Sequence, residues 1–302
     1  VPMRFAISIP QFVADGTFDP AAFGAYVRRA EELGFESGWT QEQVLGTAPH
    51  LSANETMAYA FACTERLRLG CAVYVTPLHI PAHLAKSLAT LDQLSRGRLE
   101  VGVGSGGRNR PFAAFGLDGE AHVARFTEGI RLVKALWTED VIDFDGRFWQ
   151  LEGASMQPKP FQKPGPPLWF GGSHPNALKR AVKHGDGFFG AGSSTTAAFA
   201  EQVKTLREVL AEAGREDFRI AKRVYIVVDD DGDAARRRAA DGLAEIYGKR
   251  GLEAVAVAGT PDECVAGVQE VAAAGAELIL FTPFADQAEQ MERLAAEVIP
   301  RI

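Results

Sequence analysis

Eight short apolar runs, each separated from the next by a stretch of helical periodicity, constrain this chain more than any other feature. They are Met3–Ile9, Glu36–Thr40, Leu67–Val75, Arg98–Val103, Pro167–Phe170, Asp186–Gly190, Arg223–Val228 and Ala276–Phe281. Most are almost continuously apolar and rich in β-branched and aromatic residues. Parallel strands covered on both faces read this way, whereas half-exposed antiparallel strands alternate. Eight strands interleaved with helices predict an α/β fold, a (β/α)8 TIM barrel, with insertions after strands 4 and 7. Residues 1–302 are expected to form one domain, since α/β barrels of this length are common.

The segments between the runs carry their own signals. In Pro20–Leu33 the residues Phe23, Tyr26, Val27, Ala30 and Leu33 recur at helical spacing, with Asp19 placed to cap and Pro20 at the first helical position. Leu84, Leu88, Leu91 and Leu94 do the same before Gly97, and Thr260-Pro261-Asp262-Glu263 reads as a capping box. Leu33-Gly34, His184-Gly185 and Ala274-Gly275 each end a helix with glycine and lead into a strand, the short turn that repeated units need. The long gap from Gly104 to Pro166 holds a helix pattern at Phe126, Ile130, Val133 and Leu136. Beyond it Val141–Phe144 and Arg147–Leu151 flank Asp145-Gly146, which predicts a hairpin with a two-residue turn. Five prolines between Pro158 and Pro167 suit an extended, ordered return.

Bulk chemistry excludes several classes. A net charge of −7 with no basic run opposes a phosphate backbone, so nucleic acid is not an expected partner. No apolar stretch approaches a membrane span and no export signal is legible, which makes a cytoplasmic protein the expectation. Cys63, Cys71 and Cys264 are odd in number and widely spaced, giving neither a disulfide framework nor a cysteine zinc site. His79 and His83 are interrupted by Pro81, so no metal is expected, and no nucleophile elbow or cysteine-centred motif points to hydrolysis.

Two glycine-rich strand exits carry the functional signal. Gly102-Val103-Gly104-Ser105-Gly106-Gly107 matches G-x-G-x-x-G, but Arg108-Asn109-Arg110-Pro111 does not read as a helix start, and no acidic residue ends a second strand at the right distance, so a dinucleotide fingerprint is disfavoured. The alternative is a strand exit whose backbone is kept open, with or without a ligand. Gly171-Gly172-Ser173-His174 precedes the helical pattern Ala177–Lys183. Free N–H groups at that helix start suit a phosphate, unless Ser173 simply caps an ordinary turn. The two exits follow the fourth and fifth strands and reinforce each other as one ligand site.

The chain resembles the bacterial luciferase-like superfamily. The resemblance rests on Glu31–Phe35 leading to Trp39, Leu69–Val73, Ala89-Thr90-Leu91-Asp92-Gln93-Leu94-Ser95-Arg96-Gly97-Arg98, Gly102-Val103-Gly104 and Pro167–Gly172, and extends to about Gly190. It implies a TIM barrel that holds coenzyme F420, a deazaflavin, or alternatively FMN in the barrel mouth. It also implies a non-proline cis peptide at Ala72–Val73 behind the ring, with Tyr74 beside it, and a phosphate tail across Gly104, Ser105, Gly106 and Gly107 and across Gly171, Gly172, Ser173 and His174. Homodimers are common among such proteins. The style of Trp39–Gln43 and Leu91–Gly97 is similar to the deazaflavin-dependent branch.

One departure narrows the reading. Where many relatives place an acidic residue and a histidine, this chain has Glu42-Gln43, and Gln43 cannot shuttle a proton. Gly107 stands where the sugar-phosphate dehydrogenases have a glutamate, which disfavours glucose-6-phosphate. Glu42 and Gln43 are the candidate catalytic residues, hydrogen-bonding ring or substrate, with Glu42 as a mere backbone acceptor the alternative. Tyr74, Thr76 and His79 leave the third strand towards the same mouth. The expected activity is hydride transfer between F420 and a small organic substrate. An FMN-dependent monooxygenase working with a separate flavin reductase, and a non-catalytic flavin-binding protein, are the alternatives.

Overall fold

The computed structural model describes residues 3–13, 16–107 and 112–302. The segment Arg108–Pro111, read above as failing to start a helix, lies outside the described residues.

In chain order the elements are β1 (Arg4–Ser8), α1 (Pro20–Glu32), β2 (Ser37–Thr40), α2 (Ala53–Cys63), β3 (Arg68–Val75), α3 (Pro81–Leu94), β4 (Leu99–Gly104), α4 (His122–Thr138), β5 (Ile142–Asp145), β6 (Gln150–Ala154), β7 (Leu168–Gly171), α5 (Pro175–His184), β8 (Gly187–Gly190), α6 (Thr196–Ala213), β9 (Arg219–Val228), α7 (Gly232–Tyr247), β10 (Ala256–Gly259), α8 (Pro261–Ala273), β11 (Leu278–Pro283) and α9 (Gln287–Arg293). The parallel order β9-β11-β1-β2-β3-β4-β7-β8 closes through β8 on β9, giving an eight-stranded barrel with helices outside.

The barrel interior is packed by Ala6, Trp39, Trp169, Phe189, Ala221, Leu278 and Leu280. Trp39 and Trp169 meet edge to face at 6.2 Å, and the glycines of neighbouring strands leave room for them: a Cβ on Gly70 would lie 2.5 Å from Trp39. A larger layer between strands and helices uses the opposite face of each strand, including Ile7, Leu69, Val101, Phe170 and Phe281. Burial on both faces is the physical origin of the continuous apolar runs.

The helix signals reappear in detail. Asp19 accepts from the Ala21 and Ala22 N–H groups, and Thr260 with Glu263 forms the complete capping box. Gly34, Gly97 and Gly275 take positive φ as helix-ending glycines do, but Gly185 is extended at φ −104°.

Three expectations change. The seventh barrel strand begins at Arg219, four residues before the apolar run, because Lys222 and Arg223 are both buried within it. The region after it contains a further strand, β10, which pairs with β9 at Tyr225–Val228, beyond the Arg219–Lys222 stretch paired with β8. The hairpin is present, but its loop is Gly146–Trp149 rather than a two-residue turn. The Glu128 carboxylate, projecting from α4, accepts from the backbone N–H groups of Arg147, Phe148 and Trp149 and so replaces turn geometry with a side-chain anchor.

Candidate active site

Three strand exits meet at the C-terminal mouth of the barrel. In β3 the Ala72–Val73 peptide is cis, and the β3–β4 register shifts between Cys71 and Tyr74. This bulge turns Val73 towards the exits of β4 and β7. A Cβ on Gly104 would lie 2.9 Å from Val73 Cγ2, one on Gly171 3.3 Å from Cγ1, and one on Gly102 only 2.2 Å from the Cys71 carbonyl. The glycines are therefore required for the bulge to pack against its neighbours. Further out, Gly106 has φ +70° and Gly172 φ +130°, conformations that side chains rarely adopt, and Gly107 faces open space.

The start of α5 differs in one respect from the sequence reading. His174, not Ser173, is the N-cap: its Nδ1 accepts from the Asn176 N–H at 3.1 Å. Gly172, Ser173 and His174 are exposed, and they follow Gly171, whose position lies against Val73. The fold thus brings the cis-peptide bulge, Gly104–Gly107 and Gly171–His174 to one place.

Tyr74 lies in the layer between strands and helices, 1% exposed, with its hydroxyl donating to Asn54 Oδ1. Burial pushes its pKa well above the usual phenol range. Glu42, just beyond β2, has both oxygens engaged. Oε2 accepts from the Val75 N–H at 2.7 Å, and Oε1 lies 2.6 Å from His79 Nε2. Gln43 is folded over its own loop, where a Cβ on Gly46 would lie 2.0 Å from its Nε2. His79 meets the Tyr74 ring edge-on. Thr76 begins a 3₁₀ turn to Leu78 and its buried hydroxyl has no partner among the described residues.

Sequence reasoning missed a polar group set inside the mouth. Arg223 points inward from β9, 6% exposed, and its Nη2 donates to the Ala72 carbonyl of the cis peptide at 3.0 Å. No carboxylate pairs with it among the described residues. Ser8 and Thr282 follow the Ile7–Phe281 rung of β1 and β11, on the face shared with Ala6 and Leu280. Their buried hydroxyls are also unpartnered among the described residues. A buried cation and orphaned hydroxyls cost free energy unless a ligand supplies the missing partners. The signal available in the sequence was Lys222-Arg223 interrupting a buried strand. Lys222 faces the other way, over Phe199 of α6, and donates to the Ala191 and Ser194 carbonyls.

A cavity of about 360 Å3 lies at the opposite end of the barrel, lined by Trp137, Pro166, Leu168, Asp186 and Arg219. These residues surround strand starts, where barrel enzymes place stability rather than chemistry. Among the described residues no cluster of His, Cys, Asp and Glu could hold a metal, and no helix is long and apolar enough to cross a membrane.

The residues at the mouth fit a flat ring with a phosphate tail. Val73 fills the space the glycines leave, the N–H groups of Asn176, Ala177 and Leu178 in α5 are already bonded to His174, and what remains for a ligand is the backbone of the two glycine exits and the buried hydroxyls of Ser8, Thr76 and Thr282, unpartnered among the described residues. A family profile described as luciferase-like monooxygenase matches residues 3–251. The chain is 34% identical over 234 residues to an FMNH2-dependent dimethylsulfone monooxygenase of Pseudomonas putida, covering 75% of this chain but 62% of that protein's length. It is 31% identical to an F420-dependent glucose-6-phosphate dehydrogenase of Beutenbergia cavernae, with 94% of each chain covered. Among solved structures, a monooxygenase from Streptomyces bottropensis superposes with a TM-score of 0.84 at 24% identity, covering 99% of both chains. An F420-dependent secondary alcohol dehydrogenase superposes with a TM-score of 0.83 at 20% identity, covering 100% of this chain and 99% of that one. These two share the fold. With a family profile matching most of its length, the chain belongs to the luciferase-like monooxygenase family of oxidoreductases.

Proposed function

We propose that this protein transfers a hydride between coenzyme F420 and a small organic alcohol, carbonyl, imine or activated alkene. The observation that carries the reading is the meeting of the Ala72–Val73 bulge with the glycine exits of β4 and β7 at one mouth. End-to-end similarity to F420-dependent relatives, with 94% of both chains covered, supports the deazaflavin over the longer FMN-dependent protein. The 34% identity to the latter is what favours the second reading, an FMN-dependent monooxygenase.

The deazaflavin would supply the hydride-accepting or hydride-donating carbon. Ala72 and Val73 would back its ring, while Gly104, Ser105, Gly106 and Gly107 with Gly171, Gly172, Ser173 and His174 would take the phosphate tail. The protein's own contribution is orientation, exclusion of water and electrostatic tuning. Trp39, Trp169 and Phe189 close the barrel below the mouth. Arg223 places a positive charge against the bulge, where it would stabilise negative charge on a bound ring. Gly107 in place of a glutamate argues for a substrate other than a sugar phosphate.

Equilibrium binding of F420 and of FMN, followed in parallel by fluorescence, tests the reading. Gly172→Asp puts a carboxylate and a Cβ at φ +130° and within 2.9 Å of Ala177 Cβ. F420 binding that this substitution abolishes supports the proposal. FMN binding in its place, with oxygen consumption when a flavin reductase is added, supports the second reading.

A further inference from the structure

Hydride transfer at a carbon bearing oxygen requires a group that takes or gives the oxygen's proton. Most ionisable side chains at the mouth are committed elsewhere. Glu42 has both oxygens occupied. Tyr74 and Cys71 are buried, and burial pushes both pKa values up and keeps the groups neutral. His174 is spent as a helix cap. His50 is packed edge-on against Phe12, its pKa lowered by burial. Arg223 is a fixed cation. His79 is different. Its Nε2 is held at 2.6 Å by a carboxylate that is 8% exposed, its ring is 27% exposed, and no described residue bonds its Nδ1.

We propose that His79 is a catalytic residue that exchanges a proton with the substrate's oxygen through Nδ1, with Glu42 as the residue that positions it. The inference rests on the hydride-transfer reading above. Glu42 accepts Nε2–H and thereby leaves Nδ1 as the bare, proton-accepting nitrogen. The Val75 N–H fixes Glu42 in turn, so base, orienter and backbone form one rigid chain two residues beyond the bulge.

In alcohol oxidation the carbinol C–H bond breaks and its hydride passes to the oxidised deazaflavin. The O–H bond breaks, its proton goes to His79 Nδ1, and the electron pair left on oxygen completes the C=O bond. Carbonyl reduction runs the same exchange backwards. Tyr74 meets the imidazole edge-on and Glu42 acts electrostatically on both Tyr74 and Cys71, on which Glu55, on α2, and Arg223 act respectively. Glu42 is the carboxylate in direct contact with the imidazole.

The test begins with F420 binding to the wild-type protein. Absence of binding, or of wild-type turnover with both 2-propanol and acetone, removes the alcohol–carbonyl reading and this inference with it, whereas the remaining outcomes bear on His79 alone. With F420 bound, single turnovers are measured with 2-propanol and, in reverse, with acetone. His79→Asn is expected to slow both by about 100-fold or more while leaving the F420 dissociation constant within about twofold. Glu42→Gln is expected to move the acidic limb of the pH profile, and His50→Asn is expected to change neither rate nor profile. Independently, 15N-histidine NMR of the wild-type protein is expected to show His79 as the Nε2–H tautomer, with an Nδ1 resonance that moves when 2-propanol is added to the F420 complex. Turnover by His79→Asn at the wild-type rate, or an Nδ1 resonance unmoved by 2-propanol, overturns the proposal.

Discussion

Lys222 lies on the Gly190–Lys222 rung of the β8–β9 pair and is 2% exposed. Burial, with a smaller contribution from Arg223, brings its pKa down from the ordinary lysine value of 10.5 to about 7. The Ala191 and Ser194 carbonyls accept from Nζ at 2.5 and 2.9 Å, which favours the ammonium and limits that depression. A lysine whose folded pKa lies below its unfolded value burdens the native state wherever it must carry its proton. Below about 7 both states are protonated and the cost is complete. Between about 7 and 10.5 the unfolded chain binds the extra proton, so stability rises with pH. The slope is about 1.4 kcal/mol per pH unit, so the wild-type protein should gain about 2–3 kcal/mol between about pH 7 and pH 9 from this residue. Lys222→Met keeps the length and the packing on Phe199 and removes the titration. Urea unfolding at a series of pH values should then show the stability of the variant relative to wild type falling by about 2–3 kcal/mol between about pH 7 and about pH 9. Curves that stay parallel across this window would refute the account of Lys222 as a lysine whose burial depresses its pKa.

Other consequences can be checked individually. Glu128→Gln weakens the acceptor of three backbone N–H groups in the hairpin loop and should cost about 1–3 kcal/mol in urea unfolding, with hydrogen exchange of Arg147–Trp149 faster than in wild type. Gly102→Ala drives a Cβ to 2.2 Å from the Cys71 carbonyl and should cost about 1–3 kcal/mol and weaken cofactor binding, whereas Gly107→Ala, in open space, should leave stability unchanged. Thr260→Ala removes the capping box of α8 and should lower stability by about 1 kcal/mol, read from the shift in the urea midpoint.

The barrel was legible because burial on both faces writes itself into consecutive residues: all eight apolar runs overlap barrel strands. β10 escaped because Ala256-Val257-Ala258-Gly259 has little β propensity and is recognisable only by its pairing with Tyr225–Val228. The first half of β9 escaped for the opposite reason, since Lys222 and Arg223 break the apolar pattern while being buried. The hairpin turn misled because its geometry is set by Glu128, nearly twenty residues upstream on a different element. In the candidate site the glycines were readable, as their requirement for open space or positive φ is a property of the residue itself. Partnerships across the barrel were not. Arg223 reaches the Ala72 carbonyl over a separation of 151 residues and Glu42 reaches His79 over 37, and neither contact leaves a local trace.

The central claim is that a deazaflavin ring lies on the Ala72–Val73 bulge with its phosphate at the two glycine exits. A crystal structure of the protein grown with F420 tests it most directly. The account predicts ring density against Ala72 and Val73, facing Arg223, with the phosphate within hydrogen-bond reach of backbone N–H groups in Gly104–Gly107 or Gly171–His174. Ordered F420 elsewhere, as in the cavity beside Trp137 and Arg219, or a phosphate remote from both glycine segments, would contradict it.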